Sequence, residues 1–296
     1  MTTRTTAADF HPAILEIFDG YVHGKLTKRE FIDRAAKFAA AGVTGAMILD
    51  QLRPDYARAQ QVKPDDPTIR TERPSVPSPK GNGAIAGLLA MPAKARGKLG
   101  AVLVIHENRG LNPYIEDVAR RLAKAGYLAF APDGLTSVGG YPGNDEKGRE
   151  LQAKLDPKKL FEDWLASFNF LRMHSRSGGK VGAVGFCYGG GICNALAVAC
   201  PDIVASVPYY GRQPRPEEVP SIKAPLLIHY AENDERINAG AGLYQAALIA
   251  NRKRHQQYFY PGTQHGFHND STPRYDKAAA ELSWQRTLAF FEEHLA

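Results

Sequence analysis

The sequence predicts an α/β fold, a mostly parallel sheet flanked by helices, and three observations carry that prediction. From about residue 82 short apolar runs alternate with amphipathic segments, as repeated strand–helix–strand units require. The runs are nearly continuous in their apolar character, LGAVLVIHE (99–107) above all, which is the pattern of strands covered on both faces. The first 75 residues lack this rhythm. They read as an N-terminal helical arm and linker (1–75), followed by the main domain (76–296).

Within the arm, HPAILEIFDGYVHG (11–24) is a short helix closed by Gly24. LTKREFIDRAAKFAAAG (26–42) is a stronger helix, with Thr27 as N-cap and Glu30 as its capping-box partner. Phe31, Ala35, Phe38 and Ala39 would share one face, to be covered by the main domain or by a second subunit in a homodimer. A proline- and charge-rich stretch (50–81) reads as arm or linker. Strands follow at 84–93 and 99–107, then an amphipathic helix over 115–126 stopped by Gly126 and a strand at 127–133. Helices are expected over 145–155 and 157–173, a strand at 180–186 and a helix at 188–200. Strands at 203–211, 224–234 and 255–262 and helices at 236–250 and 275–294 complete the alternation.

Composition excludes several classes. The 296 residues are 44% hydrophobic and 23% charged, enough material for one large core or two modest ones. The net charge of +6 is scattered, and no basic stripe is interleaved with aromatic residues, so nucleic acid is not an expected partner. The excess instead favours anionic small molecules. No apolar run reaches membrane-spanning length; the longest weakly apolar stretch, 38–50, is too short. Three clustered cysteines, Cys187, Cys193 and Cys200, suggest neither a disulfide framework nor a zinc site, and a reducing, cytoplasmic setting is expected.

The chemistry gathers where strands end, as it does in parallel sheets. VGAVGFCYGGG (181–191) runs from a strand through a tight turn into a helix. Its GFCYG core has the spacing of a nucleophile elbow, with cysteine in place of the commoner serine. The helix that follows would aim its amides at the sulfur and favour the thiolate, and the Tyr188 N–H could receive an oxyanion. Asp234 closes a strand in LLIHYAEND, where it could orient a histidine or merely cap a helix, with Glu232 as its substitute. His265 follows another strand in YPGTQHGFHND, with His268 as competitor. Glu107 ends the first buried run, beside Asn108, whose N–H could be the second oxyanion donor. A carboxylate there would raise a neighbouring thiol's pKa, so its presence asks for a reason.

The segments VLVIHENRGLNPYIEDVARRLAKAGYLAFAPD, VGAVGFCYGGG, LLIHYAEND and YPGTQHGF resemble, in order, the dienelactone hydrolase (carboxymethylenebutenolidase) family of the α/β-hydrolase superfamily. The resemblance spans about 100–270 and leaves out the first 75 residues. It implies an α/β-hydrolase fold and a Cys187–His265–Asp234 triad cleaving a small, anionic ester or lactone without metal or organic cofactor. It also implies an oxyanion hole from the amides of Asn108 and Tyr188, and a resting thiol held by Glu107 until substrate displaces it. One departure stands out: the family arginine four residues after the histidine, used to hold the substrate carboxylate, is Asn269 here. Arg109, Arg212 and Arg274 are the candidate replacements. General carboxylesterase or acyltransferase activity is the alternative enzyme, and a binding protein that kept the fold is the non-catalytic one.

Overall fold

The computed structural model describes residues 5–40 and 42–296; residues 1–4 and 41, parts of the expected arm, lie outside the described residues. Nine strands are seen among them: β1 Ile69–Glu72, β2 Ser75–Ser78, β3 Gly83–Pro92, β4 Leu99–Ile105, β5 Leu128–Pro132, β6 Ser177–Phe186, β7 Ala205–Tyr209, β8 Leu226–Asn233 and β9 His255–Gln264. The helices are α1 Pro12–Val22, α2 Lys28–Ala35, α3 Gly45–Gln51, α4 Tyr56–Ala59, α5 Pro113–Lys124, α6 Asp145–Gln152, α7 Pro157–Met173, α8 Tyr188–Ala199, α9 Glu235–Asn238, α10 Ala241–Ala250 and α11 Lys277–Leu295.

The sheet runs β1-β3-β5-β4-β6-β7-β8-β9, with β2 paired to β3. From β5 through β9 every pairing is parallel, while β1, β2 and β5 each meet β3 antiparallel. The central strands β4, β5 and β7 are buried along nearly their whole length because helices cover both faces. One layer packs α5 and α11 against the sheet around Val104, Val118, Val184, Val207 and Phe291, and the other packs α7 and α8 around Leu103, Trp164, Phe168 and Leu196.

The stretch 50–81 is not a bare linker. It contributes β1 and β2, so the sheet begins before the expected start of the main domain. Their short, polar sequences hid them, since edge strands need only one apolar side. The helix expected over 236–250 is two pieces, separated by Ala239 and Gly240.

The arm builds a small core of its own. Ile14, Leu15, Phe18 and Tyr21 of α1, Phe31 and Ala35 of α2, and Ile48 and Leu49 of α3 cover one another. The Thr27–Glu30 box forms as expected: Thr27 Oγ1 accepts from Glu30 N at 3.2 Å, and Glu30 Oε2 accepts from Thr27 N at 2.8 Å. The helix stops at Ala35, however, and Phe38 is turned outward, where it stacks on His11. This helical unit lies over the carboxyl ends of the strands. Asn108 Nδ2 donates to Val22 O at 2.8 Å, Lys28 pairs with Glu146 at 3.0 Å, and Asp55 N donates to Ser271 O at 2.7 Å. No helix among the described residues is long and apolar enough to cross a membrane.

Candidate active site

Cys187 occupies the turn between β6 and α8 with φ 57° and ψ −112°, a left-handed backbone that a side chain other than glycine's adopts only under constraint. The constraint is local. Cys187 N donates to Tyr209 O at 3.1 Å, tying the turn to β7. A Cβ on Gly185 would fall 2.2 Å from Gly189 O, and one on Gly189 would fall 2.2 Å from Ile105 O. The glycines thus let the turn close on itself and against the end of β4. That close approach brings Asn108 beside Cys187 and Tyr188, and all three line one cavity of about 640 Å³.

His265 follows β9, and Asp234 follows β8. His265 Nδ1 lies 2.5 Å from Asp234 Oδ2. Asp234 also caps α9, its Oδ1 accepting from Ile237 N at 3.3 Å, so one carboxylate meets both the histidine and the helix end. His265 Nε2 is buried without a hydrogen-bond partner. The competitors are accounted for elsewhere. His268 Nδ1 is 2.7 Å from Tyr114 Oη with its ring stacked on Phe186, and Glu232 Oε2 accepts from Gly262 N at 2.7 Å.

The electrostatics favour a charged pair. Burial works against the Cys187 thiolate, but the positive charges of His265 and His23, with the hydrogen bond from His23, hold its pKa well below the usual thiol value. Burial likewise opposes the His265 imidazolium, yet the Asp234 carboxylate and the Cys187 thiolate push its pKa up to about 10. Cys193 and Cys200 show the contrast: burial pushes both thiols up.

His23 was not singled out in the sequence, where the arm was expected only to cover the main domain or a second subunit. Its Nε2 lies 3.3 Å from Cys187 Sγ, and its Nδ1 lies 2.8 Å from Asp19 O and 3.1 Å from Asp19 Oδ1. Glu107, expected to hold the resting thiol, is itself held by Asn269, whose Nδ2 donates to Glu107 Oε2 at 3.1 Å, with Arg109 Nε at 3.7 Å. The side chain hydrogen-bonded to the sulfur is His23. Burial raises the Glu107 pKa. The position of the absent family arginine therefore anchors this carboxylate.

Of the three candidate arginines, only Arg212 lines the cavity with Cys187. Arg109 is spent on Asp145 at 2.9 Å and on Glu107. Arg274 is buried against the arm, Nη1 3.8 Å from Asp19 Oδ1 and its guanidinium over the Phe18 ring at 5.1 Å. Arg236, not anticipated, joins Arg212 in the cavity wall. As for metals, one donor atom each from His23, Cys187 and His265 lie within 4.8 Å of one another, which distant sequence positions had concealed. This is an N₂S set of transition-metal type, but Arg236 Nη2 stands 3.0 Å from His23 Nε2, a cation at the same spot.

The model of the Dienelactone hydrolase family matches residues 85–295. The chain belongs to that family. It is a carboxylic ester hydrolase of the α/β-hydrolase superfamily, and a second model, described as YqhI-like, matches residues 1–38 of the arm. The family relatives include "Putative hydrolase fragment YghX" of Escherichia coli (strain K12), 63% identical over 115 residues, 39% of this chain and 98% of that one. Another, "Putative carboxymethylenebutenolidase" of Saccharolobus solfataricus, is 32% identical over 228 residues, covering 64% of this chain and 88% of its own. Among solved structures, "Putative Dienelactone Hydrolase" from Klebsiella pneumoniae superposes with a TM-score of 0.68 at 28% identity, over 76% of this chain and 99% of that one.

Proposed function

We propose that the chain hydrolyses a small anionic ester or lactone with Cys187 as nucleophile, His265 as acid and base, and Asp234 as the group that orients His265. The observation that carries this reading is the strained Cys187 turn, opening into a cavity of about 640 Å³, with the Asp234–His265 pair on the adjoining strand ends. The thiolate attacks the carbonyl carbon, and the amides of Asn108 and Tyr188 receive the oxyanion. As the tetrahedral adduct collapses, the C–O bond breaks and the His265 imidazolium protonates the departing alkoxide, which stays tethered if the substrate is a lactone. Neutral His265 then takes a proton from water, the hydroxide attacks the thioester, and the C–S bond breaks to return the thiolate. Arg212 and Arg236 in the cavity wall support an anionic substrate.

Mass spectrometry on the protein mixed with a panel of small esters and lactones tests the reading. An acyl adduct on Cys187, with product formation lost in Cys187→Ala, is expected. Turnover that persists in Cys187→Ala overturns it.

A further inference from the structure

The arm places a second aspartate–histidine pair against the same sulfur. α1 ends at Val22, and His23 at its C-cap turns into the catalytic domain. Its Nδ1–H is committed to Asp19, so Nε2 is the atom that faces the main domain, 3.3 Å from Cys187 Sγ and 3.0 Å from Arg236 Nη2. This is the arrangement that Asp234 imposes on His265. The two imidazoles meet edge to face, ring centroids 4.8 Å apart. Asp19 is fixed in turn by Arg236 at 3.4 Å and Arg274 at 3.8 Å, both from the main domain.

We propose that His23, presented by the N-terminal arm and oriented by Asp19, is a second catalytic imidazole whose Nε2–H donates to the Cys187 thiolate, so that arm and catalytic domain make the nucleophile together. The role rests on Cys187 being the nucleophile. His23 keeps its proton throughout. When sulfur attacks, its hydrogen bond to His23 loosens. His265 gives its proton to the alkoxide and regains one from water, and when the C–S bond breaks the electron pair returns to sulfur facing the His23 N–H. The thioester sulfur is thereby a better leaving group, with no further proton needed.

The charged groups facing His23 are Asp19 on its own helix, Cys187 at the elbow, His265 after β9 and Arg236 on α9. Burial opposes the His23 imidazolium, the Cys187 thiolate and Asp19 favour it, and His265 opposes it, with the balance raising the His23 pKa. Arg236, within 3.0 Å, is a cation that a bound anion would draw off.

The test is the pH profile of Cys187 alkylation by iodoacetamide, followed on the Cys187 peptide by mass spectrometry in the full-length protein. It needs no substrate. His23→Ala, His23→Gln and Asp19→Asn are compared with wild type. In His23→Ala the profile moves up by at least one pH unit, so alkylation near pH 6 falls about tenfold or more. The neutral donor of His23→Gln recovers only part of this, and Asp19→Asn shifts the profile in the same direction. A His23→Ala profile that superimposes on wild type, in protein with an unchanged melting temperature, overturns the proposal; if that variant does not fold, an unshifted Asp19→Asn profile does so. Failure of the nucleophile reading looks different: Cys187→Ala retains turnover while the alkylation profile still moves with His23.

Discussion

The triple glycine at the start of α8 offers a graded test of the elbow. In Gly189→Ala the added Cβ would lie 2.2 Å from Ile105 O, 2.7 Å from its carbonyl carbon and 2.8 Å from His106 O. These are backbone atoms of the central strand β4 and its exit, which cannot rotate aside, and ordinary contact begins at 3.4 Å. The start of α8 must therefore retreat by about 1 Å, carrying Cys187 with it. Overpacking of this kind costs about 1–3 kcal/mol, which for a chain of this size lowers the melting temperature by about 2–6 °C. A nucleophile displaced by about 1 Å loses on the order of 100-fold in rate. Gly191→Ala is the control two residues on: its Cβ meets Arg212 at 3.5 Å, an ordinary contact, and alanine gains about 1 kcal/mol of helix propensity over glycine. Thermal melts and ester turnover on both variants decide the matter. Gly189→Ala should be damaged in both and Gly191→Ala in neither; equal behaviour of the two variants would refute the steric account.

Asp234→Asn should lower kcat by about 10⁴-fold, because the amide no longer supports the imidazolium or fixes the tautomer that frees Nε2; stopped-time product assays with a melting-temperature control check this. Arg212→Ala should raise KM for a carboxylate-bearing ester about tenfold while leaving a neutral ester of the same size within a few-fold, read from paired substrate titrations. Burial holds the pKa of His229 well below the imidazole value, its nitrogens 2.8 Å from Tyr260 Oη and 3.2 Å from Thr287 Oγ1. The folded value lies below the unfolded one, so below about pH 6.5 the unfolded chain binds a proton the native state refuses, and stability falls with pH. Until the native state also takes up the proton, the loss from this group grows by about 1.4 kcal/mol for each pH unit below that point. Urea denaturation of wild type and His229→Gln at pH 7.5 and 5 should show a smaller acid loss in the variant; an equal loss would assign the acid sensitivity elsewhere.

The main domain was legible because its signals are local. Continuous apolar runs fix buried parallel strands, and the G-x-C-x-G spacing fixes a turn whose glycines meet neighbouring backbone at 2.2 Å. Asp234 and His265 follow from strand ends for the same reason. β1 and β2 were missed because an edge strand has few buried positions, only Ile69 in β1 and Val76 and Ser78 in β2. Arg212 lines the cavity as a candidate, whereas Arg109 and Arg274 do not, because an arginine's partner is set by tertiary structure. Nothing near Arg109 or Arg274 in the chain announces Asp145 or Asp19. His23 was hidden most completely, since it lies 164 positions from the cysteine it touches, in a segment with no strand to place it.

The seating of the arm also makes the sulfur's surroundings a long-range product of folding. Asp19 of α1 is received by Arg236, 217 positions along the chain, and by Arg274. Of the two imidazoles that pull down the acidity constant of Cys187, one comes from each end of the chain. The sulfur's paired setting therefore exists only while both segments are seated together, and local opening of the arm would take one of the two imidazoles away from it.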